Sequence, residues 1–185
     1  MTGPSAGSVQ GRRIRVLWNP ASGRKAGIPT NTASRDSLVD LMARFELGDE
    51  LIETESEEHT LALVREAVEA HYDTVVAAGG DGSMGLVAGE LLDTDTALGI
   101  LPLGSIMNIP RMLDLPRYLD AAAQILRDGH VRVIDVGQSG DTLFYEAASV
   151  GLHAAVFRTW RRWTRATSPL SPTRSSRHSA TDHRA

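Results

Sequence analysis

Cysteine is absent from the 185 residues, which excludes disulfides, thiolate zinc sites and a cysteine nucleophile. That absence fits a cytoplasmic protein. No apolar run approaches the roughly 18 residues of a membrane span. The opening stretch MTGPSAGSVQGRR has no apolar core and does not read as a secretory signal; residues 1–12 read as a flexible leader. His59, His71, His130 and His153 include no pair at metal-ligand spacing. There is no internal repeat.

Positive charge is scarce where a nucleic-acid surface would need it. Residues 1–157 carry 12 Lys and Arg against 22 Asp and Glu, an acidic body that argues against binding nucleic acid. Residues 158–185 reverse this, with seven Arg and one acid. That segment is rich in Arg, Ser, Thr and Pro without aliphatic periodicity, and reads as a basic disordered tail. Trp160 and Trp163 lie among its arginines, but the prolines that follow cut short any amphipathic anchor.

What is present supports a packed core. Hydrophobic residues make up 42% of the chain, enough for one domain, or one domain and a fragment of another. Ile14–Trp18 is an apolar strand ending in NPASG. Thr32–Phe45 carries a helical stripe of Leu38, Leu41, Met42 and Phe45. Leu51 and Ile52 make a weak second strand. His59–His71 reads as a helix with acidic Glu57 and Glu58 at its start. Thr74–Ala78 is a third strand, Ser83–Leu92 a helix despite Gly85 and Gly89, and Ala97–Leu101 a fourth strand. Leu119–Leu126 is a helix with Gly129 as its C-cap.

This alternation predicts an α/β fold, a Rossmann-like parallel sheet flanked by helices over residues 13–129. The pattern then changes. Val131–Val136 and Leu143–Val150, separated by GQSGD, read as an antiparallel hairpin opening a truncated β-rich second domain over residues 130–157. Such an unfinished hairpin predicts poor solubility or self-association, a homodimer being one form of it.

Glycine-rich turns follow strands one, three and four, and ligands of parallel sheets bind at that edge. In the first turn, Asn19 either braces the turn or bonds a ligand, and Ser22 and Gly23 offer backbone N–H groups to phosphate; the sequence lacks the G-K-[ST] ending of a Walker A loop. In GGDGS, Gly79, Gly80 and Gly82 let the main chain approach an anion, and a helix starting near Ser83 aims its N–H groups there. Asp81 orients a hydroxyl, binds a metal, accepts a proton, or caps the helix. In PLGS, Gly104 repeats the close approach and Ser105 either donates to phosphate or caps a helix. Asn108 and Arg111 are either ligand groups or surface residues.

In order and spacing, NPASG, GGDGS and LGILPLGS resemble the catalytic domain of the diacylglycerol kinase and sphingosine kinase superfamily, over about Ile14 to Phe157. GGDG alone extends the resemblance to NAD kinases. The resemblance implies an ATP-dependent lipid kinase whose nucleotide lies at the strand ends. Asn19, Pro20, Ala21, Ser22 and Gly23 would form the first nucleotide loop, and Thr54 matches an ATP-contacting threonine. Gly79, Gly80, Asp81, Gly82 and Ser83 match GGDGT, with Asp81 organising the phosphate and metal end, and Gly104 and Ser105 match PLGT. Where the family continues Gly-Asn-Asp-Phe-Ala-Arg, this chain places Ile106, Met107, Asn108, Ile109, Pro110 and Arg111. A carboxylate is lost, Ile106 and Met107 crowd the loop, and Pro110 removes a backbone donor. Leu86 stands where the family has an acid.

The resemblance also implies Mg²⁺ as cofactor, diacylglycerol or a related lipid hydroxyl as acceptor, and transient contact of a cytoplasmic protein with a membrane surface. The family's second domain supplies the catalytic base and a structural magnesium site, neither of which can be located in this sequence. The change of composition at Arg158 reads as a truncated or frame-shifted end. The expectation is therefore weak Mg-ATP binding with little or no transfer. The alternatives are an NAD kinase-like enzyme and a nucleotide-binding remnant without catalysis.

Overall fold

A computed structural model describes residues 11–25, 28–29, 31–48 and 50–145. Residues 1–10 of the expected leader, the latter part of the predicted Leu143–Val150 strand, His153, Trp160, Trp163 and the basic tail lie outside the described residues; Arg12, which the leader included, donates to the Leu126 carbonyl at 2.6 Å and the Arg127 carbonyl at 3.1 Å.

Strand β1 (Ile14–Trp18) is buried along its whole length, as a strand covered on both faces requires. Two-residue strands β2 (Arg24–Lys25) and β3 (Ile28–Pro29) form a small antiparallel ladder. Helix α1 (Arg35–Arg44) follows, capped by Ser34, whose hydroxyl accepts from Ser37 N–H at 3.2 Å. Strand β4 (Leu51–Glu53) leads to helix α2 (Glu57–Glu69), where the Ser56 hydroxyl accepts from His59 N–H at 3.0 Å. Strand β5 (Thr74–Gly79), fully buried, runs into helix α3 (Asp81–Glu90). Strand β6 (Ala97–Pro102), the short helix α4 (Asn108–Met112) and helix α5 (Leu119–Asp128) complete the layer. Gly129 ends α5 at φ 71°, the predicted left-handed cap.

The four main strands pair in parallel in the order β4-β1-β5-β6. Side-chain alternation along them feeds two cores. Val16, Val76 and Leu101 pack with α1 and α5 through Leu38, Leu41, Met42, Ala122 and Ala123. Leu17, Val75 and Ile100 pack on the opposite face with Leu63, Val64 and Ala67 of α2 and Met84 and Val87 of α3. This is the helix-flanked parallel sheet that the alternation predicts. Because the chain passes from β1 out to β4 and returns to β5 on β1's other side, the order reverses beside β1. A crevice opens there at the carboxyl ends of the strands.

The amino end of the sheet holds a buried charge. Arg15 is 4% exposed. Its guanidinium donates to Glu50 Oε1 at 2.9 Å, to the Leu63 carbonyl at 3.0 Å and to Glu66 Oε1 at 3.1 Å, and lies over the Tyr72 ring. Burial alone would favour deprotonation, but the bonds to Glu50 and Glu66 outweigh it and raise the pKa.

The hairpin departs from expectation. Val131–Val136 is not a strand, and Val133 is 98% exposed. Pairing instead joins β7 (Gly137–Ser139) to β8 (Thr142–Phe144). The turn sets the register: Ser139 opposite Thr142 leaves a two-residue loop, with Gly140 at φ 58°.

Candidate functional site

The first loop is braced by Asn19. Its N–H donates to the Ala78 carbonyl at 3.1 Å, one residue past the β1 strand. Its Oδ1 accepts from Ala21 N–H at 2.9 Å, an Asx turn, and its Nδ2 donates to Ser83 Oγ at 3.2 Å. Ser22 N–H is committed to the Asn19 carbonyl at 3.1 Å, while Ser22 Oγ accepts from Gly80 N–H at 3.3 Å. Gly23, at φ 78°, closes the loop: a Cβ there would lie 1.9 Å from the Asn31 carbonyl oxygen.

The second loop shows why it is glycine-rich. A side chain on Gly79 would meet Ser83 Cβ at 2.7 Å and Ser22 Oγ at 3.3 Å. Gly80 is the extended N-cap of α3 and supplies no side-chain cap. Gly82 is exposed, with no atom within 4 Å of where its Cβ would stand. The first-turn N–H groups of α3 lack intrahelical partners and carry the positive end of the helix dipole.

Asp81 occupies the first position of α3, two residues earlier than the predicted start. Its carboxylate does not cap its own helix. Oδ2 accepts from Asn108 N–H at 3.0 Å and Oδ1 from Ile109 N–H at 2.9 Å, so Asp81 caps α4 on the third loop. The two loops also touch directly: Leu103 N–H donates to the Gly79 carbonyl at 2.8 Å, and a Cβ on Gly104 would lie 3.1 Å from Gly80 Cα.

The third loop absorbs its unusual residues. Ile106 is 55% exposed and turned out of the loop, contrary to the crowding expected of it. Met107 is buried in the left-handed region at φ 55°. Asn31 Nδ2 reaches its sulfur and donates to the Pro102 carbonyl at 2.9 Å. Pro110 sits in the first turn of α4, where a missing N–H breaks no intrahelical bond. The Ser105 carbonyl accepts from Arg117 at 3.4 Å, and Arg111 donates to Asn108 Oδ1.

A cleft of about 650 Å³ opens where β1, β4 and β5 end, within the size range of small-ligand sites. Asn19, Pro20, Ala21, Ser22, Thr54, Gly80, Gly82 and Ser83 line it together, so the first two turns share one cleft and the third does not reach it. Thr54 is fixed by its N–H, which donates to the Trp18 carbonyl at 2.8 Å. Gly23, Gly79, Asp81, Gly104, Ser105, Asn108 and Arg111 do not line it; Gly79 lies close to Ser22 and Ser83, which do, and Asp81 bonds the third loop. Leu86, noted for standing where the family has an acid, lines it too, and the remaining wall was not read as part of the site: Glu53, Glu55, Ser56, Glu57 and Thr60. The acidic run before α2 was the available signal. No Lys or Arg lines the cleft among the described residues.

Residues 13–139 match the family described as diacylglycerol kinase catalytic domain. Curated relatives include a diacylglycerol kinase of Staphylococcus epidermidis, 29% identical over 154 residues covering 76% of this chain and 44% of that protein. Another, from Staphylococcus saprophyticus, is 30% identical over 146 residues, 76% of this chain and 45% of that protein. This chain thus spans less than half the length of the curated relatives it matches. A crystal structure of a diacylglycerol kinase from Bacillus anthracis superposes with a TM-score of 0.59 at 19% identity, over 72% of this chain and 48% of that one, which establishes likeness of fold.

Proposed function

The chain belongs to the diacylglycerol kinase catalytic-domain family, and on that premise we propose that its cleft is the nucleotide half of an ATP-dependent lipid kinase. The observation that carries this reading is the joining of two loops at the sheet's crevice, Ser22 to Gly80 and Asn19 to Ser83, beneath an open Gly82. Phosphates fit against the first turn of α3, where bare glycines leave N–H groups accessible. Thr54 and Leu86 then face the nucleoside, and Glu53, Glu55 and Glu57 accept from its hydroxyl and amine hydrogens.

Among the described residues no three His, Cys, Asp or Glu side chains group to hold a metal. The donor set therefore fits a Mg²⁺ carried on the nucleotide phosphates, the usual habit of that ion. When bound, Mg-ATP supplies the transferable phosphoryl group, and the protein's part is positioning and electrostatics. Asp81 holds the third loop against the second. Asn108 and Arg111 on that loop stand on the acceptor side, where the hydroxyl of diacylglycerol or a related lipid would arrive. A membrane-derived acceptor implies transient contact of a cytoplasmic protein with a bilayer surface.

Titration calorimetry with Mg-ATP tests the cleft, and phosphate transfer to diacylglycerol in mixed micelles tests the acceptor. Gly82→Val, which places a branched side chain over the first turn, should weaken Mg-ATP about tenfold, ~1.4 kcal/mol. No binding by the wild-type chain, or binding indifferent to Gly82→Val, refutes the assignment.

A further inference from the structure

Helix α3 contains poor helix formers in its interior. Gly85 and Gly89 lie one turn apart on one face, and each destabilises a helix by about 1 kcal/mol relative to alanine. That face is filled from outside. A Cβ on Gly85 would stand 3.3 Å from Tyr145 Cε2, and one on Gly89 3.4 Å from both Leu143 Cδ1 and the Tyr145 hydroxyl. The Tyr145 hydroxyl donates to the Gly85 carbonyl at 2.9 Å. Met84 and Val87, elsewhere on α3, are buried in the core on the sheet. The helix is therefore held between the sheet and two side chains of the hairpin segment, and its glycines form the notch that admits them.

We infer that Tyr145 is a positioning residue for the cleft: through Gly85 it fixes α3 and thereby the first-turn N–H groups that face the nucleotide, with Leu143 filling the same notch. This rests on reading the cleft as a nucleotide site. Gly85 is four residues from Asp81, a single helical turn. A loosened Gly85 is thus transmitted to Asp81, Gly82 and Ser83 with little intervening structure.

Amide hydrogen exchange and Mg-ATP calorimetry on the full chain test it, comparing wild type, Tyr145→Phe and Leu143→Ala. Tyr145→Phe keeps the ring and removes only the hydroxyl. The Met84 amide, which donates to the Gly80 carbonyl, and those of Leu86 to Ala88 should exchange about fivefold faster, matching the ~1 kcal/mol of one neutral hydrogen bond. The Val76 and Ala77 amides of β5 should not change, and the Mg-ATP dissociation constant should rise by a similar factor. Unchanged exchange in α3 overturns the inference whether or not nucleotide binds. Exchange accelerated equally in β5 and α3 also overturns it, because that reports a general loss of stability. If α3 responds alone but wild type binds no Mg-ATP, the nucleotide reading fails and Tyr145 clamps the helix without serving a nucleotide. Leu143→Ala, shortening the second notch side chain, should reproduce the α3 effect.

Discussion

Removing the Asp81 carboxylate should unlatch the second loop from the third. Two bonds hold it, 3.0 Å from Asn108 N–H and 2.9 Å from Ile109 N–H. Bonds to an ionised acceptor contribute about 1.5–3 kcal/mol each when sheltered, but Asp81 is half-buried and solvent screens part of that. Loss of a helix cap alone costs about 0.5–2 kcal/mol. Asp81→Ala, which loses both bonds and a favourable charge at two helix starts, should therefore cost about 2 kcal/mol. For a domain of this size that lowers Tm by about 4–8 °C. Asp81→Asn keeps one acceptor but turns its NH₂ toward a backbone donor, so it should lose about half as much. Thermal melting followed by circular dichroism gives both numbers. An Asp81→Ala protein melting within about 1 °C of wild type would refute the latch and return Asp81 to orienting a hydroxyl, binding a metal or accepting a proton.

Breaking the buried Arg15 pair should be among the most damaging changes in the sheet. Glu50→Ala takes the 2.9 Å partner from a guanidinium only 4% exposed, leaving Glu66 and the Leu63 carbonyl as its acceptors, and should cost about 1.5–3 kcal/mol in urea denaturation. The double change Arg15→Met with Glu50→Leu should recover most of that, and failure to recover would show that packing, not the weakened pairing of the charge, sets the cost. Tyr145 predicts an alkaline effect: burial raises its phenol above the ordinary value. The native state thus favours the protonated form, so this contribution is intact below the ordinary pKa of about 10 and is lost as pH rises through the raised value. Stability measured across that range should fall less steeply in Tyr145→Phe; identical slopes would exclude the phenol as the cause.

The strands were legible because buried parallel strands are apolar runs: β1, β5 and β6 fall where Ile14–Trp18, Thr74–Ala78 and Ala97–Leu101 predict them. Helices α1, α2 and α5 were legible from periodicity and caps. Helix α4 has five residues and starts from a left-handed Met107, too short for any period to register. The hairpin was misplaced because the alternation of Val131–Val136 mimics a strand, whereas the Gly140 turn decides which residues pair. At the site, the loops could be read but their partners could not. No local feature of GGDGS says that Asp81 reaches Asn108 and Ile109, 27 and 28 residues away. Nor does sequence place β4 beside β1, the neighbour relation that brings Glu53–Glu57 to the cleft. Gly85 and Gly89 weakened the helix reading for a reason visible only in three dimensions, the Tyr145 and Leu143 side chains that occupy their face.

An acidic body and an anionic ligand are opposed only on average. The cleft separates the two signs: carboxylates of Glu53, Glu55 and Glu57 stand on the β4 and α2 side, and the N-terminus of α3 on the β5 side. With a screening length of about 8 Å at physiological salt, a phosphate against α3 still feels a carboxylate wall across so small a cleft. On the proposed reading this fixes the direction in which a nucleotide lies, with its charge toward α3 and its hydrogen-bond donors toward the glutamates. It also sets the form that enters. No arginine or lysine among the described lining residues offsets the phosphates, and a helix terminus supplies only about half a unit charge. On the same reading the remaining neutralisation would travel with the ligand, so Mg-ATP should bind more tightly than ATP alone; calorimetry with and without Mg²⁺ measures the difference, and equal affinities would refute it.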